Sequence, residues 1–335
     1  MYEKILRPIL FRQDAETAHH RVMRMLRLAS FVPGVASAMR RVFEPRNAAP
    51  VDLLGMHFPS CVGMAAGFDK DAQVLRALWG LGFGFAEVGS VTASAWGGNQ
   101  PPRMRRLVAD QALINRMGLP SQGVAAVVAR LARGRPPFPI LGNIAKTADP
   151  TLIGDAAIED IRRAAQAMLP VCDALVLNLS CPNTEDGRTF EEPASLRALL
   201  EGLRGMHGPS RPMLVKVSPD RPAAELLELA AEALRGGIKG FVATNTTKSR
   251  EGLASGDAGS LPPGGLSGVP LRDRSLAVVR NLRAALGPLV PIIGCGGIST
   301  AEDIDAFREA GADLVEAYTG FIYRGPFFVK RVLRS

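Results

Sequence analysis

The sequence predicts an α/β fold, a (β/α)8 TIM barrel with a small N-terminal helical membrane-associating extension, and three observations carry that expectation. From about residue 61 short apolar, β-branched runs alternate with longer amphipathic stretches, the rhythm of βα units around a parallel sheet. Eight such runs occur, which suits a closed barrel rather than an open sheet. The 335 residues exceed the roughly 250 that such a barrel needs, so an appended element is expected.

In chain order the runs are 61–66, 84–90, 139–145, 173–180, 212–218, 240–245, 290–295 and 312–319. Helical stretches follow them, among them 222–236 and 300–311, the latter opened by Ser299 or Thr300 as N-cap with Glu302 and Asp303 in its first turn. Glycines and polar residues gather where the runs end: Gly67-Phe68-Asp69-Lys70, Ser90, Asn143, Asn178, Lys216, Thr244-Asn245-Thr246, Gly296-Gly297 and Tyr318-Thr319. A polar residue at one strand end is ordinary, whereas a set at all eight marks the mouth at which such barrels carry their active sites. Residues 1–46 form a separate helical module ahead of a barrel domain at 47–335, because Ala15, Ala18, Val22, Met25, Leu26 and Ala29 recur at helical spacing among arginines. Two roles are open to the module: packing on the barrel, or lying in a membrane interface with its arginines on lipid phosphates.

Composition narrows the function classes. With 47% hydrophobic residues the chain buries a large core, yet no run approaches the ~18 apolar residues of a membrane span. Arg7, Arg12, Arg21, Arg24 and Arg27 interrupt any signal-peptide core, so the chain is expected to stay in the cytoplasm. Cys61, Cys172, Cys181 and Cys295 lack the short paired spacings of a zinc site, and reduced thiols without a bound metal are expected. The net charge is +8, and residues 1–46 hold nine Lys or Arg against four Asp or Glu, a surplus of five in that segment. Such a balance suits nucleic acid, anionic lipid or acidic small molecules.

Several constellations carry chemistry. Gly294-Cys295-Gly296-Gly297-Ile298-Ser299 and Tyr318-Thr319-Gly320 follow the last two runs, where backbone N–H groups of such barrels hold a phosphate. Lys70 and Lys216 sit among apolar residues, so each is either a Schiff-base lysine or a fixed cation facing an anionic ligand. Asn115, Asn143, Asn178, Asn183 and Asn245 offer paired donors and acceptors suited to a planar, amide-rich ligand such as a flavin or a pyrimidine. Cys181 opens a polar Pro-Asn loop beside those amides, where nearby cations lower a thiol toward service as a base.

The segments AAGFDKD (65–71), INRMG (114–118), NLSCPNT (178–184), KVSPD (216–220), TNTT (244–247), GGLSG (264–268), GCGGI (294–298) and YTGFIYRGP (318–326) together resemble dihydroorotate dehydrogenase, over nearly the whole chain. The N-terminal module resembles the quinone-dependent, class 2 branch, which implies a peripheral enzyme on the cytoplasmic face of the cell membrane, touching anionic lipid and working as a monomer. The resemblance implies oxidation of (S)-dihydroorotate to orotate in pyrimidine biosynthesis, hydride passing from substrate C6 to N5 of FMN while a base removes the C5 proton, and electrons passing on to a quinone. FMN contacts would come from Ala66, Gly67, Phe68, Asp69, Lys70, Ser90, Asn143, Asn178, Lys216, Thr244, Gly268, Gly297, Tyr318 and Thr319. Substrate contacts would come from Lys70, Asn115, Arg116, Met117, Gly118, Leu119, Asn178, Asn183, Asn245 and Thr246, the base would be Cys181, and His19, Arg106 and Tyr318 would border the quinone. Quinone-dependent members typically carry Ser where this chain has Cys181, and Glu185-Asp186-Gly187 replaces the usual Pro-Gly. Cys181 alone favours the alternative, a soluble class 1-type enzyme using fumarate or NAD. A nucleic-acid-binding protein without enzymatic activity is the rival suggested by the basic charge, and the motifs speak against it.

Overall fold

A computed structural model describes residues 2–46, 48–179, 190–206, 208, 211–255 and 263–333. The chain enters through helices Arg7–Phe11 (α1), Ala15–Phe31 (α2) and Val35–Phe43 (α3), then makes a hairpin of Val51–Leu53 (β1) and Met56–Phe58 (β2). The hairpin turns at Leu54 and Gly55, both at positive φ, the conformation of a two-residue turn that matches strand twist. The barrel follows, with strands Val62–Met64 (β3) and Phe85–Val91 (β4). Met104–Leu107 (β5) and Ala112–Asn115 (β6) interrupt the barrel, which then resumes with Ile140–Ile144 (β7), Ala174–Asn178 (β8), Met213–Val217 (β9) and Gly240–Ala243 (β10). Gly265–Gly268 (β11) is a second excursion, and Ile292–Cys295 (β12) with Leu314–Ala317 (β13) completes the ring.

All eight apolar runs thus become strands of one closed barrel in the order β3-β4-β7-β8-β9-β10-β12-β13, every neighbouring pair parallel. Around it stand Leu75–Gly80 (α4), Val124–Leu131 (α5), Gly154–Met168 (α6), Pro193–Gly202 (α7), Ala223–Arg235 (α8), Arg272–Leu286 (α9), Ala301–Glu309 (α10) and Thr319–Arg324 (α11). Between the two N-cap candidates the structure selects Thr300, whose side chain accepts from the Asp303 N–H, while the Asp303 carboxylate reaches back to the Thr300 N–H. The excursions β5, β6 and β11 pair with one another as a three-stranded antiparallel sheet that closes over Leu107, Ala112, Ile114 and Leu266.

Side chains alternate along each strand, so the barrel interior is stacked in layers. The lower layer is apolar: Phe85, Leu141, Leu214, Val242, Ile293 and Leu314 are buried together, and Phe58 of the hairpin stands edge-on to Phe85 at 5.3 Å. Two residues further along the same strands lie Glu87, Asn143, Lys216, Thr244, Cys295 and Glu316. The hairpin therefore plugs the bottom of the barrel, and the polar layer rests on an apolar floor.

The N-terminal helices pack on the barrel. Helix α3 crosses α4 at Gly80, where a Cβ would stand 2.7 Å from the Ala36 carbonyl oxygen, so only glycine permits the approach. Asp14 caps α2 by accepting the Thr17 N–H at 2.9 Å, and Ala15, Glu16 and Ala18 are buried. Val22, Met23, Leu26 and Ala29 are half-buried on the same side. The expected stripe needs one correction. Met25 faces away, 67% exposed, and with Leu28, Phe31 and Val32 makes a second apolar line on the outer surface of the module. A seven-residue repeat places Met25 and Val32 on one face, about a quarter-turn from the stripe that meets the barrel.

Replacing the plug residue, Phe58→Ala, is expected to lower stability by about 3–5 kcal/mol while preserving the far-ultraviolet circular dichroism spectrum. A urea unfolding midpoint that does not move would contradict the role given to the hairpin.

Candidate active site

The C-terminal strand ends open into a cleft with a cavity volume of about 170 Å³. Of the residues expected to bind ligand, the cleft gathers Ala66, Gly67, Lys70, Ser90, Asn115, Met117, Leu119, Asn178, Lys216, Thr244, Asn245, Thr246, Gly268, Gly297, Tyr318 and Thr319. Phe68, Asp69, Asn143, Arg116 and Gly118 do not line it. Cys181 and Asn183 lie outside the described residues.

Those off the wall are placed by packing. Phe68 is 2% exposed and meets the rings of His19, Tyr318 and Phe321. Asp69 is buried, its carboxylate accepting the N–H groups of Gln73 and Val74 at 2.7 and 2.8 Å, and burial raises its pKa to about 6. It thereby fixes the turn that carries Lys70. Asn143 stands behind the wall and donates to Glu87 at 2.6 Å.

The floor of the cleft is a buried charged cluster. Lys216 Nζ donates to Glu87 Oε2 at 2.5 Å and lies 3.5 Å from Glu316 Oε2. Burial opposes the lysine's charge, but the two carboxylates outweigh it and hold the ammonium above its ordinary range. An ammonium paired with two buried carboxylates is suited to the role of a fixed cation rather than that of a Schiff-base nucleophile. Burial also opposes charge on Glu87, yet Lys216 with hydrogen bonds from its neighbours keeps it ionised. Above the floor, Asn245 donates to Asn178 Oδ1 at 2.8 Å and Asn178 donates to Ser90 Oγ at 2.8 Å, an amide chain across the mouth. Lys70 is half-buried, donates to the Gly67 carbonyl at 2.9 Å, and has its pKa lowered by burial.

Sequence reasoning missed Glu87 and Glu316, although the test that selected Lys216 selects them too: each is a charge inside an apolar strand. It also passed over Ser267, which exchanges a hydrogen bond with Thr319 at 2.9 Å on the wall.

The residues matched to a quinone border sit between module and barrel. Helix α2 is tied down by Glu16, which accepts from Arg103, both side chains being 12–15% exposed. Arg106 donates to the carbonyls of Phe11, Gln13 and Asp14 and lies over the Phe11 ring at 4.6 Å. His19 stands edge-on to Phe68 at 5.5 Å, and burial, then Lys70, lowers its pKa to about 3.

A sequence profile of the family described as dihydroorotate dehydrogenase matches residues 48–335. The chain belongs to the dihydroorotate dehydrogenase family. A protein of Clavibacter michiganensis named dihydroorotate dehydrogenase (quinone) is 44% identical over 99% of this chain and 97% of its own length. A Mycobacterium bovis protein of the same name is 41% identical over 98% of this chain and 91% of its own. The crystal structure of DHODH from Eimeria tenella in complex with ferulenol superposes with a TM-score of 0.85 at 33% identity, covering 96% of this chain and 90% of that one. Dihydroorotate dehydrogenases are flavin-dependent oxidoreductases, and the donor set of the cleft fits such a ring: Ser90, Asn178 and Asn245 present hydroxyl and amide groups on its wall, above the Lys216 cation.

The depressed His19 pKa has a pH consequence. The folded protein holds this imidazole neutral, whereas the unfolded chain protonates it below about 6.5. Stability conferred by its burial is therefore complete above pH ~6.5 and declines as pH falls toward 3. Thermal unfolding midpoints between pH 7 and 5 should fall less steeply for His19→Phe than for the parent protein; parallel slopes would remove His19 from the account.

Proposed function

We propose that this chain oxidises dihydroorotate to orotate through bound FMN and passes the electrons to a membrane quinone. The observation that carries the reading is the fixed Lys216 cation beneath a wall of amides, in a chain whose full-length relatives bear the name dihydroorotate dehydrogenase (quinone). FMN supplies hydride acceptance, and the side chains would divide the remaining tasks. Lys216 places positive charge where a ring gains electron density. Ser90, Asn178 and Thr244 would hold the ring, with the backbone at Gly268, Gly297 and Thr319 taking the phosphate. Lys70 would pair with the substrate carboxylate while Asn115, Asn245 and Thr246 hold its amide edges. The C5 proton is assigned to Cys181.

The quinone half of the reading draws on residues 1–46, which the relatives share. No helix among the described residues is long and apolar enough to cross a membrane. Ile5, Leu6, Ile9, Met25, Leu28 and Phe31 are nevertheless 44–86% exposed, the first three close in sequence to Arg7 and Arg12 and the others to Arg21, Arg24 and Arg27. That pairing suits a surface helix with its apolar side among acyl chains and its cations among phosphates, on the cytoplasmic face of the membrane. The chain would work there as a monomer, without nucleic acid.

Purified protein is expected to be yellow and to bleach when dihydroorotate is added anaerobically. Colour should return with a short-chain quinone and not with fumarate or NAD; return with fumarate or NAD alone would establish the soluble class. Cys181→Ala should keep its flavin but bleach about 10²–10⁴-fold more slowly, and an unimpaired rate would take Cys181 out of the reaction. Charging the outer stripe with Met25→Glu, Leu28→Glu and Phe31→Glu should release the protein from anionic vesicles in a sedimentation assay while bleaching proceeds as before. Undiminished sedimentation would exclude that face as the membrane contact.

A further inference from the structure

The charged floor holds one acid more than its lysine requires. Glu87 on β4 and Glu316 on β13 both reach Lys216 on β9, and the side chains of all three are at most 4% exposed. The closest lysine contact, 2.5 Å, goes to Glu87, while Glu316 is 3.5 Å away. Glu87 is further supported by the Asn143 amide and by the Ala66 N–H. Glu316 receives no comparable set: its Oε1 is buried without a partner among the described residues, and it faces the cleft, which Glu87 does not.

Among the described residues, the other titratable group facing this cluster is Cys295 on β12, whose thiol burial pushes up to about 12 and so keeps neutral. Two carboxylates and one ammonium would leave an uncompensated negative charge in a low-dielectric interior, a situation that proteins resolve by protonating one acid. The same choice follows from the electrostatics, since burial and the neighbouring Glu87 charge push the Glu316 carboxyl well above its usual range.

We propose that Glu316 is a positioning residue that holds a proton shared with Glu87, keeping the Lys216–Glu87–Glu316 floor electrically neutral. A neutral floor matters because the cluster then meets a bound ring with one lysine balanced by one carboxylate. With both acids ionised, the net negative charge would oppose the electron gain that the reaction requires. This inference rests on the proposed flavin reading for its purpose, though not for its first test.

That test is infrared spectroscopy of the flavin-loaded protein. A deuterium-sensitive band of a protonated carboxyl should appear in the difference between the parent protein and Glu316→Gln at pH 7. Its absence would overturn the proposal. Glu87→Gln should also abolish the band, although residue 316 is intact, because Glu316 must then ionise to balance Lys216; survival of the band in that variant would equally overturn it. Glu316→Gln conserves both shape and charge, so the flavin reduction equilibrium should move less than tenfold, about 30 mV for a two-electron couple. A larger positive shift would mean that an ionised carboxylate had been removed. Should the variant fail to fold, the pH titration of the parent's own carboxyl band decides the matter. Failure of dihydroorotate to bleach the protein would leave the infrared result untouched and would bear on the proposed function alone.

Discussion

A lysine buried inside a closed barrel, its side chain only 4% exposed, must bring its own counter-charge, because burial strips most of the water from its ammonium. Lys216 satisfies that constraint with Glu87 and Glu316, residues 129 and 100 positions away in sequence, which only barrel closure brings together. The requirement runs in both directions. Without closure the three charges would be solvated separately, and without the counter-charges β9 would carry an unpaired cation into the core. Position in the strands does the rest. Each charged residue lies two places beyond an apolar interior neighbour, Phe85, Leu214 or Leu314, so the pleat that seals the lower barrel also lifts the charges to the base of the cleft.

The barrel was legible because period and punctuation are local properties. Eight apolar runs separated by amphipathic stretches needed no long-range information, and the capping signal at Thr300 lies within four residues. The cleft was legible in outline for the same reason, since residues that end strands in such a barrel converge on its mouth. What remained hidden was orientation. Phe68, Asp69 and Asn143 stand at strand ends like their neighbours, yet each turns behind the wall: Phe68 and Asn143 to partners distant in sequence, His19 and Glu87, and Asp69 to the backbone of its own following turn. Glu87 and Glu316 were readable in principle, because a carboxylate in the middle of an apolar strand signals a buried partner. They went unread because their value lies in a pairing that the sequence does not display. Met25 shows a third kind of limit: hydrophobicity does not say which of two apolar stripes meets the barrel.

The same logic governs the junction of module and barrel. His19, Phe68 and Tyr318 form consecutive edge-to-face contacts, so a residue of α2 is two rings from the wall of the cleft. Phe11 extends the packing through Tyr323, whose hydroxyl donates to the carbonyls of Leu107 and Ala112. Helices that share an aromatic core with the site are part of its construction rather than an attachment to it.

The fastening of α2 has a mechanical meaning. Arg103 grips Glu16 from the β5 side, and Arg106 holds three carbonyls at the α1–α2 corner, so the module cannot swivel as a tethered arm would. Were the outer stripe of Met25, Leu28 and Phe31 to rest on the proposed membrane, the cleft would meet that surface at one fixed attitude. A flexible tether would raise local concentration and leave orientation to chance, whereas a rigid foot settles orientation on landing and spares the rotational search that each encounter would otherwise require.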